Sequence, residues 1–206
     1  MVRTTESLSN SLKALAEREK AFAEVLDTHG HPEPRASEPG VETLLRTIVG
    51  QQVSVAAARS MWNKLTAKFG QPVDLKKLLD ASDEEMREAG MSRQKAGYLR
   101  SLAGLVLSGE LDLAQLPRDD EEAICQLTRI KGIGRWSAEI YLLFAEGRGD
   151  VWPAGDLAVQ VEIGKLLGLD GKPSEKQLRE LAEAWRPHRG AAAVLAWHSY
   201  NAPPLD

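Results

Sequence analysis

The stretch from Leu127 to Asp156 holds the residues best suited to chemistry. A KGIG turn (Lys131-Gly132-Ile133-Gly134) is followed at once by Arg135 and Trp136, and a lone carboxylate, Asp156, lies 20 residues beyond Trp136. An acid in front of an apolar helical run is first of all an N-cap, accepting from backbone N–H groups. That role is compatible with a chemical one, since a carboxylate pinned at a helix start could stabilise positive charge on a sugar or orient a water against it. Asp150 is the weaker candidate, because it sits at the exit of the preceding helix, where solvent is the simpler partner. Glycines two apart permit positive φ and let backbone N–H groups converge beside a helix N-terminus, a nest shaped for a phosphate oxygen. A plain tight turn fits the same residues. The turn lacks the Gly-Lys-Ser/Thr ending and the βαβ context of a nucleotide P-loop.

Other polar residues stand at helix junctions. Gln51 and Gln52 follow Gly50 where one helical run breaks before the next, as a cap, as surface amides, or as side chains that probe a base or sugar. Arg93, Lys95 and Arg100 give a short basic patch in which a solvated helix end and phosphate contact are the alternatives. His29 and His31 have no third ligand nearby and read as a helix terminus and loop. Cys125 lies in an apolar helical stretch and reads as a core thiol. Five tryptophans stand beside only three tyrosines and three phenylalanines; most are expected in the core, with Trp136 and Trp197 as candidate walls for a stacked base.

The elements that must position these residues are helical. Leu12, Leu15, Ala16, Phe22 and Leu26 recur at helical spacing over one helix from about Ser9 to Thr28, closed by His29-Gly30. Val41, Leu44, Leu45, Ile48 and Val49 form the stripe of a second. Ser82 with Glu85 gives a capping box, Leu99 and Leu102 mark an inward face, and Ser174 caps a later helix. The final segment, RPHRGAAAVLAWHSY, is an alanine-rich helix. No alternating β-branched run occurs, so the fold is expected to be all-α, with about ten helices and short loops.

Bulk composition narrows the classes. At 206 residues with 43% hydrophobic content the chain can bury a real core. A single cysteine excludes an intramolecular disulfide and any four-cysteine zinc or iron–sulfur site. No apolar run reaches the length a bilayer requires, and the residues before Leu8 are polar, so a cytosolic, reducing location is expected. The formal charge of −4 argues against diffuse wrapping of nucleic acid but not against a locally basic face.

Taken together, VETLLRTIVGQQVS, GMSRQKAGYLRSLA, LTRIKGIGRWSAEIYLLFA, PAGD and WRPHRGAAAVLAWHSY resemble the helix–hairpin–helix DNA glycosylases, in particular the alkylbase (3-methyladenine, type II) branch in its compact form without an N-terminal β domain. The resemblance runs from about residue 36 to residue 200. It implies two helical lobes around a central cleft: a middle lobe over about 36–115, and a second lobe that joins the first helix (about 8–30) to about 116–206.

The resemblance also implies roles. Asp156 matches the catalytic aspartate. Trp136 stands where glycosylase/lyases carry their Schiff-base lysine, which implies a monofunctional enzyme. Lys131, before the first glycine, is on the wrong side for lyase chemistry and would face phosphate. Trp136, Ile140 and Trp197 would form the base pocket. Lys131, Gly132, Ile133, Gly134 and Arg135 would hold the DNA backbone with Gln51, Gln52, Arg93 and Lys95, and Gln52 matches the residue that wedges into the gap left by the flipped nucleotide. A monovalent cation, Na⁺ or K⁺, on the hairpin carbonyls is implied; no other metal, cofactor or iron–sulfur cluster is. Two departures bear on substrate breadth: Ile140 where a pocket tyrosine stands, and His188 where tryptophan is usual.

The implied reaction is hydrolysis of the N-glycosidic bond of alkylated purines (3-methyladenine, 7-methylguanine) in duplex DNA, the first step of base excision repair, by a monomer with no membrane partner. It would run in the interior of a bacterial or archaeal cell, or in a eukaryotic nucleus. Cation–π attraction between the tryptophans and a cationic base would favour alkylated over neutral purines. Competing readings are a glycosylase for oxidised or mismatched bases, a catalytically silent helix–hairpin–helix DNA-binding module, and a structural helical adaptor.

Overall fold

The computed structural model describes residues 4–202, which form twelve α-helices and one short 3-10 helix with no strand among them. The all-α expectation therefore holds. The chain divides into two compact units, Met1–Ser37 with Leu142–Asp206, and Glu38–Tyr141.

The discontinuous unit contains α1 (Thr5–Ala16), α2 (Lys20–His29), α10 (Leu157–Leu166), α11 (Glu175–Leu181), a 3-10 turn (Ala182–Trp185) and α12 (Arg189–Tyr200). The single first helix expected from Ser9 to Thr28 is two helices. The break has a cause in Arg18, whose N–H turns to the Leu15 carbonyl while its guanidinium donates to the Arg186 carbonyl at 2.7 Å. Gly30, at φ +73°, closes α2 as expected. Helix α12 is buried almost all round from Gly190 to Ala196, and it packs on α1, α2 and α10. Its alanines permit that many close neighbours, since a helix that is apolar on every side belongs in a core. An aromatic cluster completes the unit: Trp185 sits 5.0 Å from Phe22 and 5.5 Å from Trp152.

The continuous unit contains α3 (Val41–Gly50), α4 (Val55–Phe69), α5 (Leu75–Asp80), α6 (Asp83–Glu88), α7 (Arg93–Leu107), α8 (Asp120–Leu127) and the start of α9 (Arg135–Phe144). Helix α7 packs on α3, α5 and α6. Its Leu99 and Leu102 are fully buried, as are Leu44, Leu45, Ile48 and Val49 of α3. Short polar residues open most of these helices: Ser54, Asp74, Ser82, Ser92 and Asp119 each accept from a backbone N–H one turn on, and Ser82 with Glu85 forms the expected capping box. The acidic clusters fall at the N-termini of α6 and α8, where they suit the helix dipole.

The continuous unit extends to Tyr141 and so takes in the hairpin. Ties made by the hairpin explain this: the Lys131 N–H donates to Ser101 Oγ of α7 at 3.1 Å, and Arg129 pairs with Glu110 at 2.6 Å. Cys125 is exposed on α8 and is not a core thiol. It falls between Ile124 and Leu127, whose helical phase turns it outward. Trp62, Trp152 and Trp185 are buried as expected.

Candidate active site

In the discontinuous unit Asp156 is the N-cap of α10, and its Oδ1 accepts the Val159 N–H at 3.0 Å. The same oxygen accepts Trp197 Nε1–H of α12 at 3.1 Å. The Asp156 N–H in turn donates to the Pro153 carbonyl at 2.9 Å. The loop before the acid is held from inside by Gln160, which is buried. Its Nε2 donates to the Ala154 carbonyl at 2.7 Å and its Oε1 accepts from Lys172 at 2.6 Å. Two residues further along α10, buried Glu162 accepts from Ser199 Oγ of α12 at 2.6 Å. A carboxylate fixed in this way has little conformational freedom left to lose when it faces charge on a bound group.

Asp150 does not face solvent, contrary to expectation. It accepts from Arg186 Nη1 at 2.7 Å and from Arg189 Nε and Nη2 at 3.0 and 2.9 Å, with its side chain only 22% exposed. The signal was present in the two arginines of RPHR, which bracket the start of α12. His188 precedes α12, its Nδ1 3.2 Å from Ser11 Oγ. Burial, with the nearby charge of Arg18, pushes its pKa below the ordinary imidazole value.

In the continuous unit the KGIG turn rests directly on α7. Gly132 adopts φ +84°, and a Cβ there would fall 2.2 Å from the ring of Tyr98, so both backbone and space require glycine. Gly134 has ordinary φ and open space around it; only one of the paired glycines uses the positive-φ freedom. Ile133 is buried, and its N–H closes the turn on the Ile130 carbonyl at 3.0 Å. Lys131 and Arg93 are exposed.

Several residues expected on the DNA are engaged within the protein. Gln51 turns its Nε2 onto the Gly132 carbonyl at 2.7 Å, so it ties the end of α3 to the hairpin. Lys95 donates to the Val49 carbonyl at 2.6 Å, and burial lowers its pKa. Arg135 pairs with Glu121 and, through Nε at 2.9 Å, with Glu139, whose side chain is 2% exposed. The bond to Glu121 is the main cause of its raised pKa. An arginine neutralised by two carboxylates is a poor phosphate ligand. Glu139 was missed in the sequence, although the i,i+4 spacing from Arg135 carries the signal.

A cavity of about 870 Å³ opens beside the turn, lined by Gln51, Gln52, Lys95, Tyr98, Gly132 and Trp136 among others. Trp136 is 48% exposed at its edge. Gln52 is exposed and holds φ +56°, a left-handed conformation that a non-glycine residue seldom adopts. Arg93, Lys131 and half-buried Ile140 lie outside this lining. Each unit thus assembles part of the expected set: Asp156 with Trp197 in one, the hairpin with Trp136 and the glutamine pair in the other.

The chain is similar to DNA-3-methyladenine glycosylase 1 of Schizosaccharomyces pombe, 31% identical over 190 residues that cover 90% of this chain and 83% of that protein. Among solved structures it is similar to a DNA-3-methyladenine glycosidase from Bacillus halodurans, with a TM-score of 0.83, 29% identity, and 93% and 89% of the two chains covered. It is also similar to the S. pombe 3-methyladenine DNA glycosylase Mag1 bound to abasic DNA, with a TM-score of 0.77, 28% identity, and 92% and 96% covered. The family model for the HhH-GPD superfamily base excision DNA repair protein matches residues 45–187, which takes in the hairpin, Trp136 and Asp156. By that match the chain belongs to the HhH-GPD superfamily of base excision DNA repair proteins.

Proposed function

We propose that this protein is a monofunctional DNA glycosylase of the type II 3-methyladenine branch, which removes alkylated purines such as 3-methyladenine and 7-methylguanine from duplex DNA. The observation that carries the reading is Asp156 at the start of α10, its Oδ1 held by the Val159 amide and the Trp197 indole. The names of the relatives, glycosylases for 3-methyladenine, support the substrate class. The complex of one of them with abasic DNA supports duplex DNA as partner.

In the proposed reaction the C1′–N bond breaks and the departing purine keeps the bonding pair. A base made cationic by alkylation leaves neutral and needs no protonation by the protein. Asp156 faces the positive charge that develops on the sugar and guides water to C1′; the water's proton passes to the carboxylate or to solvent. Half-exposed Trp136 offers a face for stacking the extruded base, with cation–π attraction favouring a cationic one. Tryptophan at that position supplies no amine, so the abasic product would remain unnicked. Lys131, Arg93 and the hairpin amides would carry the phosphate contacts, which weaken as salt rises. The monovalent cation implied by the hairpin resemblance would rest on backbone carbonyls. That of Gly132 already accepts from Gln51 at 2.7 Å, which leaves one lone pair for an ion whose charge would face a phosphate.

The test is release of 3-methyladenine and 7-methylguanine from alkylated duplex DNA by the wild type and by Asp156→Asn. Release by the wild type and a loss of about 100-fold or more in the variant is expected. Equal release by both sinks the role of Asp156. Duplex binding without release replaces the reading with a DNA-binding module, and strand cleavage in the absence of added alkali removes the monofunctional assignment.

A further inference from the structure

We infer that Trp197 is a positioning residue for Asp156, acting through its indole N–H, and is not only an aromatic face for a base. The inference rests on the glycosylase reading and deepens it.

A helix N-cap bond by itself fixes one point of a carboxylate and leaves its plane free to tilt. Here a second donor from another helix meets the same oxygen, Val159 N–H at 3.0 Å and Trp197 Nε1–H at 3.1 Å. Two donors from different directions fix the orientation of the group as well as its place. The donor is itself held. The Trp197 ring lies 5.8 Å from that of Phe144 at an interplanar angle of 37°, and its carbonyl accepts from Asn201 Nδ2 at 2.6 Å. Two residues on, Ser199 bonds to buried Glu162 and locks α12 to α10, the helix that Asp156 caps. The indole N–H is a donor only, and the acceptor it meets here is the Asp156 carboxylate. Stacking needs the ring's face but makes no demand on that N–H. The edge-on bond to the acid is therefore an independent constraint on which side chain position 197 can hold.

Trp197→Phe keeps the ring and removes the donor. Single-turnover base release from alkylated duplex DNA is expected to slow by about 10- to 100-fold, the range of a lost hydrogen bond to a charged group. Affinity for a duplex with an abasic-site analogue should stay within about twofold of wild type. In an Asp156→Asn background the same change should slow the reaction no further, because its effect passes through the carboxylate. Trp197→His, which can restore a ring N–H, should regain part of the rate, and it carries the same comparison should Trp197→Phe fail to fold by thermal unfolding. A Trp197→Phe rate within about twofold of wild type overturns the inference, as does an equal slowing in the Asp156→Asn background. An inactive wild type strikes the glycosylase reading instead, so the two failures are distinct.

Discussion

Gln51 Nε2 donates to the Gly132 carbonyl oxygen at 2.7 Å, a bond between residues 81 positions apart that joins the end of α3 to the turn of the hairpin. Gln51 has just left the helix, with ψ of 132°, so its side chain is free to cross to a neighbouring element. Gln51→Ala should cost about 0.5–1.5 kcal/mol of stability, the net value of such a bond, measured by chemical denaturation. Duplex affinity should fall with it, because the turn that would meet phosphate loses its tie. An unchanged affinity would show that Ser101 and Tyr98 hold the turn without help.

Gly132 is fixed by two separate demands, and they can be told apart. Gly132→Ala places a Cβ 2.2 Å from the Tyr98 ring on a backbone at φ +84°. The left-handed backbone accounts for about 1–2 kcal/mol and the clash for more. In the double variant with Tyr98→Ala the clash disappears while the backbone cost remains. Thermal unfolding of the four proteins should therefore show non-additive losses.

Asp150 and Asp156 are only six residues apart but are expected to fail in different ways. Asp150 joins Arg186 and Arg189 at the start of α12. Asp150→Asn should therefore lower stability by about 1–3 kcal/mol, the scale of hydrogen bonds to charged groups, with base release per folded molecule largely kept. Asp156→Asn should do the reverse. The two are compared by denaturation midpoint and single-turnover rate.

His188 should give a pH dependence of known sign. Burial lowers its folded pKa, so the unfolded chain binds the proton more readily. The stability this neutral imidazole contributes is complete above the ordinary value of about 6.5 and is lost as pH falls from there through the depressed folded value. His188→Gln should flatten the stability profile between about pH 7.5 and about pH 5.5, measured by urea denaturation. A parallel profile would remove His188 as the cause.

Much of this was legible in the residues, for reasons that differ by element. Caps, the α3 stripe and the buried faces of α7 and α12 follow from local spacing, and Asp156 as an N-cap follows from an acid before an apolar run. The break between α1 and α2 was hidden because the apolar spacing continues across it. Its cause is Arg18, which reaches carbonyls 166 and 168 residues away. The internal contacts of Gln51, Lys95 and Arg135 were hidden for one shared reason: a polar side chain near a nucleic-acid motif reads as a surface group until its internal acceptor is known. Those acceptors, the Gly132 and Val49 carbonyls and the Glu121 and Glu139 carboxylates, lie between 4 and 81 residues away in the chain.

The outward turn of Cys125 has a practical side. It is the sole thiol of the 206-residue sequence and sits on the exposed face of α8, the helix that enters the KGIG turn. A fluorophore or nitroxide attached by ordinary thiol chemistry would therefore report from one known place without prior removal of other cysteines. Its signal would report on the surroundings of α8, in the unmutated protein and in real time.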